Sequence, residues 1–307
     1  MTNKKSNILP IVVMYLLFFM IAFVTNLCNP MAVIVKNNFA MSNFAAQLGN
    51  AANFIAYAAM GIPAGMLLKK IGYRKTALVA ILIGFIGVFL QYMSGWAAIQ
   101  SFWVYLAGAF TAGFCMCMLN TVVNPMLNTL GGGGNKGNQL VQFGGVCNSL
   151  AAVLVTIIMG SLIADATKAQ IADATPALMI ALGVFAFAFL VLLLVKIPEP
   201  AQENEGDKAK DKKYSAFSFR HFNLGILAIF LYMGVEVGVP TYVMQYLTTS
   251  PDATTPGLGI NASIVGMIVA VYWLLMLVGR LLGGMIGGKV SSRAQITGVS
   301  VLCLVLV

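Results

Sequence analysis

This sequence has very little charge. Only 9% of its 307 residues are charged, whereas 60% are hydrophobic, and a soluble domain carries about 25% charged residues. A chain of this composition has too few charged side chains to cover a water-facing surface, which excludes a soluble globular protein. Its length is better counted in membrane spans of about 20 apolar residues each.

Histidine and cysteine are also scarce. The one histidine, His221, lies in a polar segment, and the five cysteines lie inside apolar runs. Their odd number and their positions favour apolar packing over disulfides. No cluster of His, Cys and carboxylate residues predicts a metal site, and no nucleophile–base pair indicates an enzyme. We therefore expect no cofactor, no metal and no catalytic residue.

The apolar runs predict an all-α bundle of membrane-spanning helices. Eight complete spans cover roughly 9–35, 45–68, 76–96, 101–129, 139–164, 176–196, 222–248 and 262–288. A ninth run begins near Ala294 and stops after about 14 residues, too few to cross a bilayer. We therefore expect the sequence to be a fragment.

Basic residues are distributed unequally between the two sides. With the N-terminus inside, fifteen Lys and Arg residues fall on the inner side and two, Lys36 and Lys168, on the outer side, while Arg280 lies within a span. Positive loops mark the cytoplasmic side. This predicts a cytoplasmic N-terminus.

A polar linker and an internal repeat predict two halves. The linker, 197–221, separates a six-span half, 1–196, from a partial second half, 222–307. Gly65 and Gly284, 219 residues apart, are each followed by Met, by Lys five residues after the Gly, and by Arg nine residues after it. Parallel repeats with the substrate site between them near the midplane are a known transporter plan.

The spans also carry five short motifs: Ile62-Pro63-Ala64-Gly65 with Lys69-Lys70, Asn124-Pro125 with Leu130-Gly131, Asn148-Ser149-Leu150, Gly234-Val235-Glu236-Val237 and Val278-Gly279-Arg280. These motifs resemble those of the major facilitator superfamily, and within it the fucose permease and glucose/galactose transporter group of bacterial sugar–proton symporters. The resemblance implies a major facilitator fold of twelve spans, alternating access and a place in a bacterial cytoplasmic (inner) membrane. It also implies structural or gating roles for Gly65, Lys69, Lys70, Arg74 and Arg280.

The sequence departs from the fucose permease pattern at the positions of its acids. The acids that the pattern has in the first and fourth spans correspond to Asn29 and Asn120 here. A Gln three residues before the fifth-span Asn is replaced by Gly145, with Gln142 three residues earlier. These changes leave sugar binding through amides possible and leave proton coupling open.

Glu236 is the most informative single residue. It is the only one of nine acidic residues that lies deep in a span. A carboxyl there is costly unless it faces a partner or a wet cavity. It is therefore a candidate proton carrier, the alternative being a protonated packing carboxyl that bonds a neighbouring helix.

Amides supply most of the candidate sugar-binding groups. Asn120, Asn124 and Asn128 recur every four residues and form one polar stripe on a helix, with Asn128 close enough to the inner end to be interfacial. Asn26 precedes Pro30 by four residues, as Glu236 precedes Pro240, which suggests corresponding positions beside one cavity. The remaining candidates are Asn29, Gln142, Asn148, Gln245 and Trp273.

Two of these residues have open alternatives. Trp273, with Tyr272 beside it, could stack on a sugar ring or anchor the helix at the bilayer surface. Arg280 could extend its charge to the inner end of its span, or it could bind an acidic sugar.

We expect a secondary transporter that imports a monosaccharide or related sugar, coupled to protons, acting as a monomer in the lipid bilayer. An uncoupled facilitator and a non-transporting fragment are alternatives. A membrane-embedded enzyme or a channel is disfavoured, because the spans hold one deep acid, no deep His and no repeated polar ring. Nucleic acid is not an expected partner, since the basic residues lie in short loops between apolar runs.

Overall fold

The computed structural model describes residues 8–162, 169–195, 197–199, 216–252 and 256–306, which form helices joined by short turns. The long helices are α1 Ile8–Asn38, α2 Leu48–Ile71, α3 Tyr73–Met93, α4 Phe102–Leu130, α5 Gly134–Leu162, α6 Ile171–Leu194, α7 Arg220–Thr248, α8 Ala262–Gly287 and α9 Ser292–Leu306. Within these ranges eight helices, α1 to α8, are long and apolar enough to cross a membrane. The predicted all-α membrane bundle is confirmed.

Two helices begin five residues earlier than the apolar runs predicted. α5 starts at Gly134 instead of 139, after a turn in which Gly132, Gly133 and Gly134 adopt φ of 78°, 74° and 56°. Glycine takes these left-handed values without steric cost, so the glycine run is a tight turn between α4 and α5. α6 starts at Ile171 instead of 176, because Gln170 and Asp173 form a capping box ahead of the apolar segment.

Most of the predicted linker, 197–221, lies outside the described residues. α6 ends at Leu194, and α7 already begins at Arg220, so the last two linker positions are helical. Residues 197–199 are described, and Glu199 among them contacts the start of α3.

The first six helices pack around α4, which contacts α1, α2, α3 and α5. The contacts rely on small residues, as is usual between membrane helices. A methyl group on Gly113 of α4 would collide with the backbone oxygen of Asn53 on α2, and one on Gly87 of α3 would lie 2.6 Å from the backbone nitrogen of Ala112. These glycines let the helices approach closely enough to exclude lipid from the centre of the group.

α8 joins α7 to the first six helices. It packs along the length of α5 and also contacts α7. Near one end, the backbones of Gly160 on α5 and Gly266 on α8 face each other. Near the other, Gln139 Nε2 on α5 donates to the backbone oxygen of Gly284 at 2.9 Å. The α5–α8 contact therefore sets the position of α7, which holds the deep carboxyl.

Candidate functional site

The buried residues of α7 form a single stripe. They are Glu236, Pro240 and Met244, spaced by four residues. Neighbouring apolar residues such as Val235 and Val239 are exposed on the outside of the helix. The deep carboxyl therefore faces other helices, as its cost in a bilayer requires.

Arg280 of α8 is the partner of Glu236. Its Nη2 lies 2.7 Å from Glu236 Oε1, and the two side chains are 23% and 10% exposed. Instead of extending towards the inner end of its span, the guanidinium turns inwards to the carboxylate. Because the two opposite charges pair with each other, neither side chain has to reach water to offset the cost of its charge.

The same guanidinium also binds α5. Its Nη1 donates to the backbone oxygen of Gly145 at 3.1 Å, to Ser149 Oγ at 3.0 Å and to Asn148 Oδ1 at 3.4 Å. A guanidinium can do this because it presents five N–H donors in one plane. We call this set of contacts, from Arg280 to Glu236 on α7 and to Gly145, Asn148 and Ser149 on α5, the Arg280 bridge.

Gly145 makes room for the bridge. A Cβ at this position would lie 3.2 Å from Arg280 Cδ, tighter than an ordinary van der Waals contact. A side chain here, such as the glutamine of the fucose permease pattern, would require Arg280 Cδ to shift by a few tenths of an ångström. The departure seen in the sequence is thus matched by a contact in the structure.

Pro240 makes possible a second hydrogen bond between α7 and α8, next to the Arg280 bridge. Proline has no N–H, so the backbone oxygen of Glu236, four residues earlier, loses its helical hydrogen bond. Tyr272 of α8 donates its hydroxyl to that oxygen at 3.2 Å. Tyr232, one turn before Glu236, lies 3.4 Å from Arg280 Nη2 through its hydroxyl. Two tyrosines therefore border the ion pair.

The α4 stripe lies in a different part of the bundle. Asn120 and Asn124 are half-buried and linked, since Asn124 Nδ2 lies 3.0 Å from the backbone oxygen of Asn120 and 3.3 Å from its Oδ1. Tyr57 of α2 hydrogen-bonds Asn120. Asn128 is exposed at the end of the helix, next to the turn that precedes α5. This position agrees with the interfacial role predicted for it.

The α1 candidates are only partly described. Asn26 is half-buried and donates its amide to the backbone oxygen of Ala22 at 2.8 Å, along its own helix. The side chain of Asn29 lies outside the described residues. α1 continues through Pro30, as α7 continues through Pro240.

Three further candidates lie in separate places. Gln142 faces Gly283 and Gly287 of α8, and its Nε2 is 3.4 Å from Gln295 Oε1 of α9. Trp273 is 5% exposed and packs in a small core with Ala152, Met244, Val265 and Val269. Its ring is therefore packed against neighbouring side chains of α5, α7 and α8. Gln245 borders a cavity between α2 and α7.

Of the predicted gating residues, Arg74 has the clearest contacts. At the start of α3 it donates to the backbone oxygens of Leu192 and Leu193 at the end of α6, at 3.0 and 2.7 Å. Lys69 and Lys70 are exposed at the end of α2. A methyl group on Gly65 would meet no atom within 4 Å. Arg280 instead belongs to the bridge.

Comparison with known proteins agrees with this architecture. The family model described as Major Facilitator Superfamily matches residues 14–307. The chain belongs to the major facilitator superfamily. Its members named in these comparisons are transporters, so the predictions of this family and of a non-enzyme are confirmed.

Relatives within the superfamily include sugar transporters. The chain is 29% identical over 288 residues to a protein named glucose/galactose transporter from Brucella abortus, covering 92% of this chain and 68% of the relative. It is 23% identical over 288 residues to the L-fucose-proton symporter of Escherichia coli strain K12, covering 84% and 64%. The crystal structure of FucP in the outward conformation superimposes with a TM-score of 0.72 at 22% identity, covering 94% of this chain and 73% of that one. That likeness shows the major facilitator fold.

The sequence patterns did not predict several contacts that the structure shows. Tyr232, Ser149 and Tyr272 were not predicted to surround an ion pair, and Glu199 was not predicted to contact α3. Spacing carried part of the signal, since Tyr232 precedes Glu236 by one turn and Tyr272 precedes Arg280 by two. Which helix each stripe faces depends on packing, which the spacing does not contain.

Proposed function

We propose that this protein imports a neutral monosaccharide across the bacterial cytoplasmic membrane by alternating access, in symport with protons and as a monomer. The printed names of its relatives, a glucose/galactose transporter and an L-fucose-proton symporter, support the substrate class and the coupling ion. The excess of basic residues on one side supports a cytoplasmic N-terminus.

The proposal takes residues 1–196 and 222–307 as parts of two halves that rock against each other. Contacts between the two parts run along α5 and α8. The Arg280 bridge lies on this contact and is the observation that carries the proposal. It ties an ionisable group on α7 to backbone and side-chain acceptors on α5.

The bridge provides a physical route from protonation to movement. When Glu236 is ionised, it holds Arg280 at 2.7 Å, and Arg280 in turn binds three groups on α5. Protonation removes the negative charge, so the guanidinium loses the attraction that fixes its position. The α5–α8 contact is then weaker, and the halves can change their relative position.

The charge balance of the site favours a neutral sugar over an acidic one. Arg280, the one deep cation found in the sequence, is already neutralised by Glu236. The amides of Asn120 and Asn124 on α4 and of Asn26 on α1 can donate to and accept from several sugar hydroxyls. They would form the central sugar site.

Replacing Glu236 by Gln tests the coupling. Glutamine keeps the size and hydrogen-bonding capacity of the side chain but cannot ionise. We expect Glu236→Gln to abolish uptake against a gradient in proteoliposomes with an imposed proton gradient, while sugar counterflow without a gradient remains. Asp252→Asn, an exposed acid after α7, is the matched control and should leave both activities unchanged.

The alternative candidate is an uncoupled facilitator, favoured by the amides that stand at Asn29 and Asn120. The same experiment separates the two. If the parent protein equilibrates sugar but never concentrates it, the facilitator is correct. If Glu236→Gln still concentrates sugar, Glu236 has only a structural role in the bridge.

A further inference from the structure

A cavity of about 270 Å³ lies between α2 and α7. It is near the ends of these helices that are remote from the 197–221 linker. Its wall includes Gln47, Asn50 and Phe54 on the α2 side and Thr241, Tyr242 and Gln245 on α7. No residue of the Arg280 bridge lines it, so it is a separate site.

The lining suits an uncharged, hydroxyl-rich ligand. Three amides and two hydroxyls, those of Thr241 and Tyr242, can donate and accept hydrogen bonds, and none of the lining residues carries a charge. Asn50 Nδ2 donates to Gln47 Oε1 at 2.7 Å, so these two amides lie next to each other in the wall. Phe54 and Tyr242 add aromatic rings, which can cover the apolar face of a sugar ring.

The cavity is open to its surroundings on one side, and its volume of about 270 Å³ is enough for one sugar ring. The wall is contributed by α2 on one side and α7 on the other. A ligand bound there touches both proposed halves and loses one wall when they separate.

We propose that this cavity is an outer-side subsite for a neutral monosaccharide, which the sugar occupies before it reaches the central asparagines. The inference rests on the proposed function and adds to it a second binding position. Because the wall is made by both halves, the subsite binds sugar in only one of the two transport states.

The test compares sugar transport in the two directions. Gln47→Ala/Gln245→Ala removes the amide groups from both walls. In right-side-out membrane vesicles we expect the KM for sugar entry to rise about tenfold through the lost hydrogen bonds, with the maximal rate unchanged. In inside-out vesicles the KM for the opposite direction should stay within about twofold of the parent, because the central site is intact.

Two further variants serve as controls. Gln100→Ala removes an exposed amide that does not line the cavity and lies on the same side of the membrane in the proposed topology, and it should change neither KM. Tyr242→Phe keeps the aromatic ring and should retain entry, whereas Tyr242→Ala should raise the entry KM.

The outcomes separate the subsite from the proposed function. An unchanged entry KM in a double variant that still transports sugar would overturn the subsite alone. An equal rise of KM in both directions would also overturn it, by showing a general effect on the fold. If the parent protein transports no sugar in either direction, the proposed function fails, and the subsite fails with it.

Discussion

The informative single residues are those whose polarity is costly in a bilayer. Glu236 and Arg280 satisfy each other at 2.7 Å, which explains how two charged side chains coexist within the spans. Asn120 and Asn124 satisfy part of their capacity along their own helix and remain half-buried. Each of these amides therefore still has donors or acceptors that a substrate can bind.

Asn120 and Asn128 provide a matched pair for a binding measurement. Asn120→Ala should weaken equilibrium binding of radiolabelled sugar about fivefold, because a lost hydrogen bond in a sheltered site costs about 1 kcal/mol. Asn128→Ala should have little effect, since that side chain is exposed at the end of α4. Negligible effects of both variants would mean that the α4 stripe serves helix packing.

At the scale of elements, the start of α3 and the end of α6 cap each other. Glu199, which follows α6, accepts hydrogen bonds from the backbone N–H groups of Tyr73 and Arg74 at 2.8 and 3.1 Å, at the start of α3. Arg74 in return donates to the last carbonyls of α6. A carboxylate at a helix N-terminus and a guanidinium at a C-terminus both interact favourably with the helix dipole. Gly72, at φ 82°, leaves room for the Glu199 carboxylate.

Removing either side of this reciprocal cap should lower stability without stopping transport. We expect Glu199→Ala and Arg74→Ala each to cost about 1 kcal/mol, as the loss of a helix cap does, and to lower the unfolding midpoint by roughly 2–4 °C. Thermal unfolding in detergent can be followed with a thiol-reactive dye, because Cys28, Cys115 and Cys117 are buried.

Lys75→Ala is the control for the cap, since Lys75 adjoins Arg74 and is exposed. Its midpoint should match that of the parent. A midpoint unchanged in both Glu199→Ala and Arg74→Ala would show that packing alone holds α3 against α6.

For the whole molecule, the arrangement depends on one long contact between α5 and α8. Small residues allow the helices to approach at Gly160 and Gly266, and the Arg280 bridge and Gln139 supply polar contacts along the same line. Packing and hydrogen bonds drive association of helices in lipid, where apolar burial contributes little. Because the polar part of this contact consists of a few directional bonds, a single protonation can weaken it.

The proposed orientation can be checked by cysteine labelling in intact cells. Single cysteines at His221 and Gln100 fall on opposite sides of the membrane if the N-terminus is cytoplasmic, and both positions are exposed. A membrane-impermeant thiol reagent should label Gln100→Cys and leave His221→Cys unlabelled until the cells are opened. Labelling of His221→Cys from outside would reverse the topology. The parent protein for both variants should carry Cys303→Ser, because the native Cys303 is exposed.

The sequence by itself determined the class of protein and its helices. A bilayer offers no hydrogen bonds to the backbone, so a long apolar run has to form a helix, and this local rule predicted α1 to α8 within about five residues. It also identified Glu236 as an unusual residue. The free-energy cost of a carboxyl in a bilayer depends on its distance from the ends of its span, and the sequence gives that distance. Helix starts at Gly134 and Ile171 differed because polar caps and turns extend helices beyond the apolar run.

Only the tertiary structure decided which side chains meet. Arg280 is 44 residues from Glu236 and 135 from Gly145 in the chain, and no periodicity relates these positions. The same packing buried Trp273 and placed Gln142 against the glycines of α8, although both were candidates for a cavity wall. Spacing along a helix defines its faces, but the neighbour that each face meets depends on the fit of all the helices together.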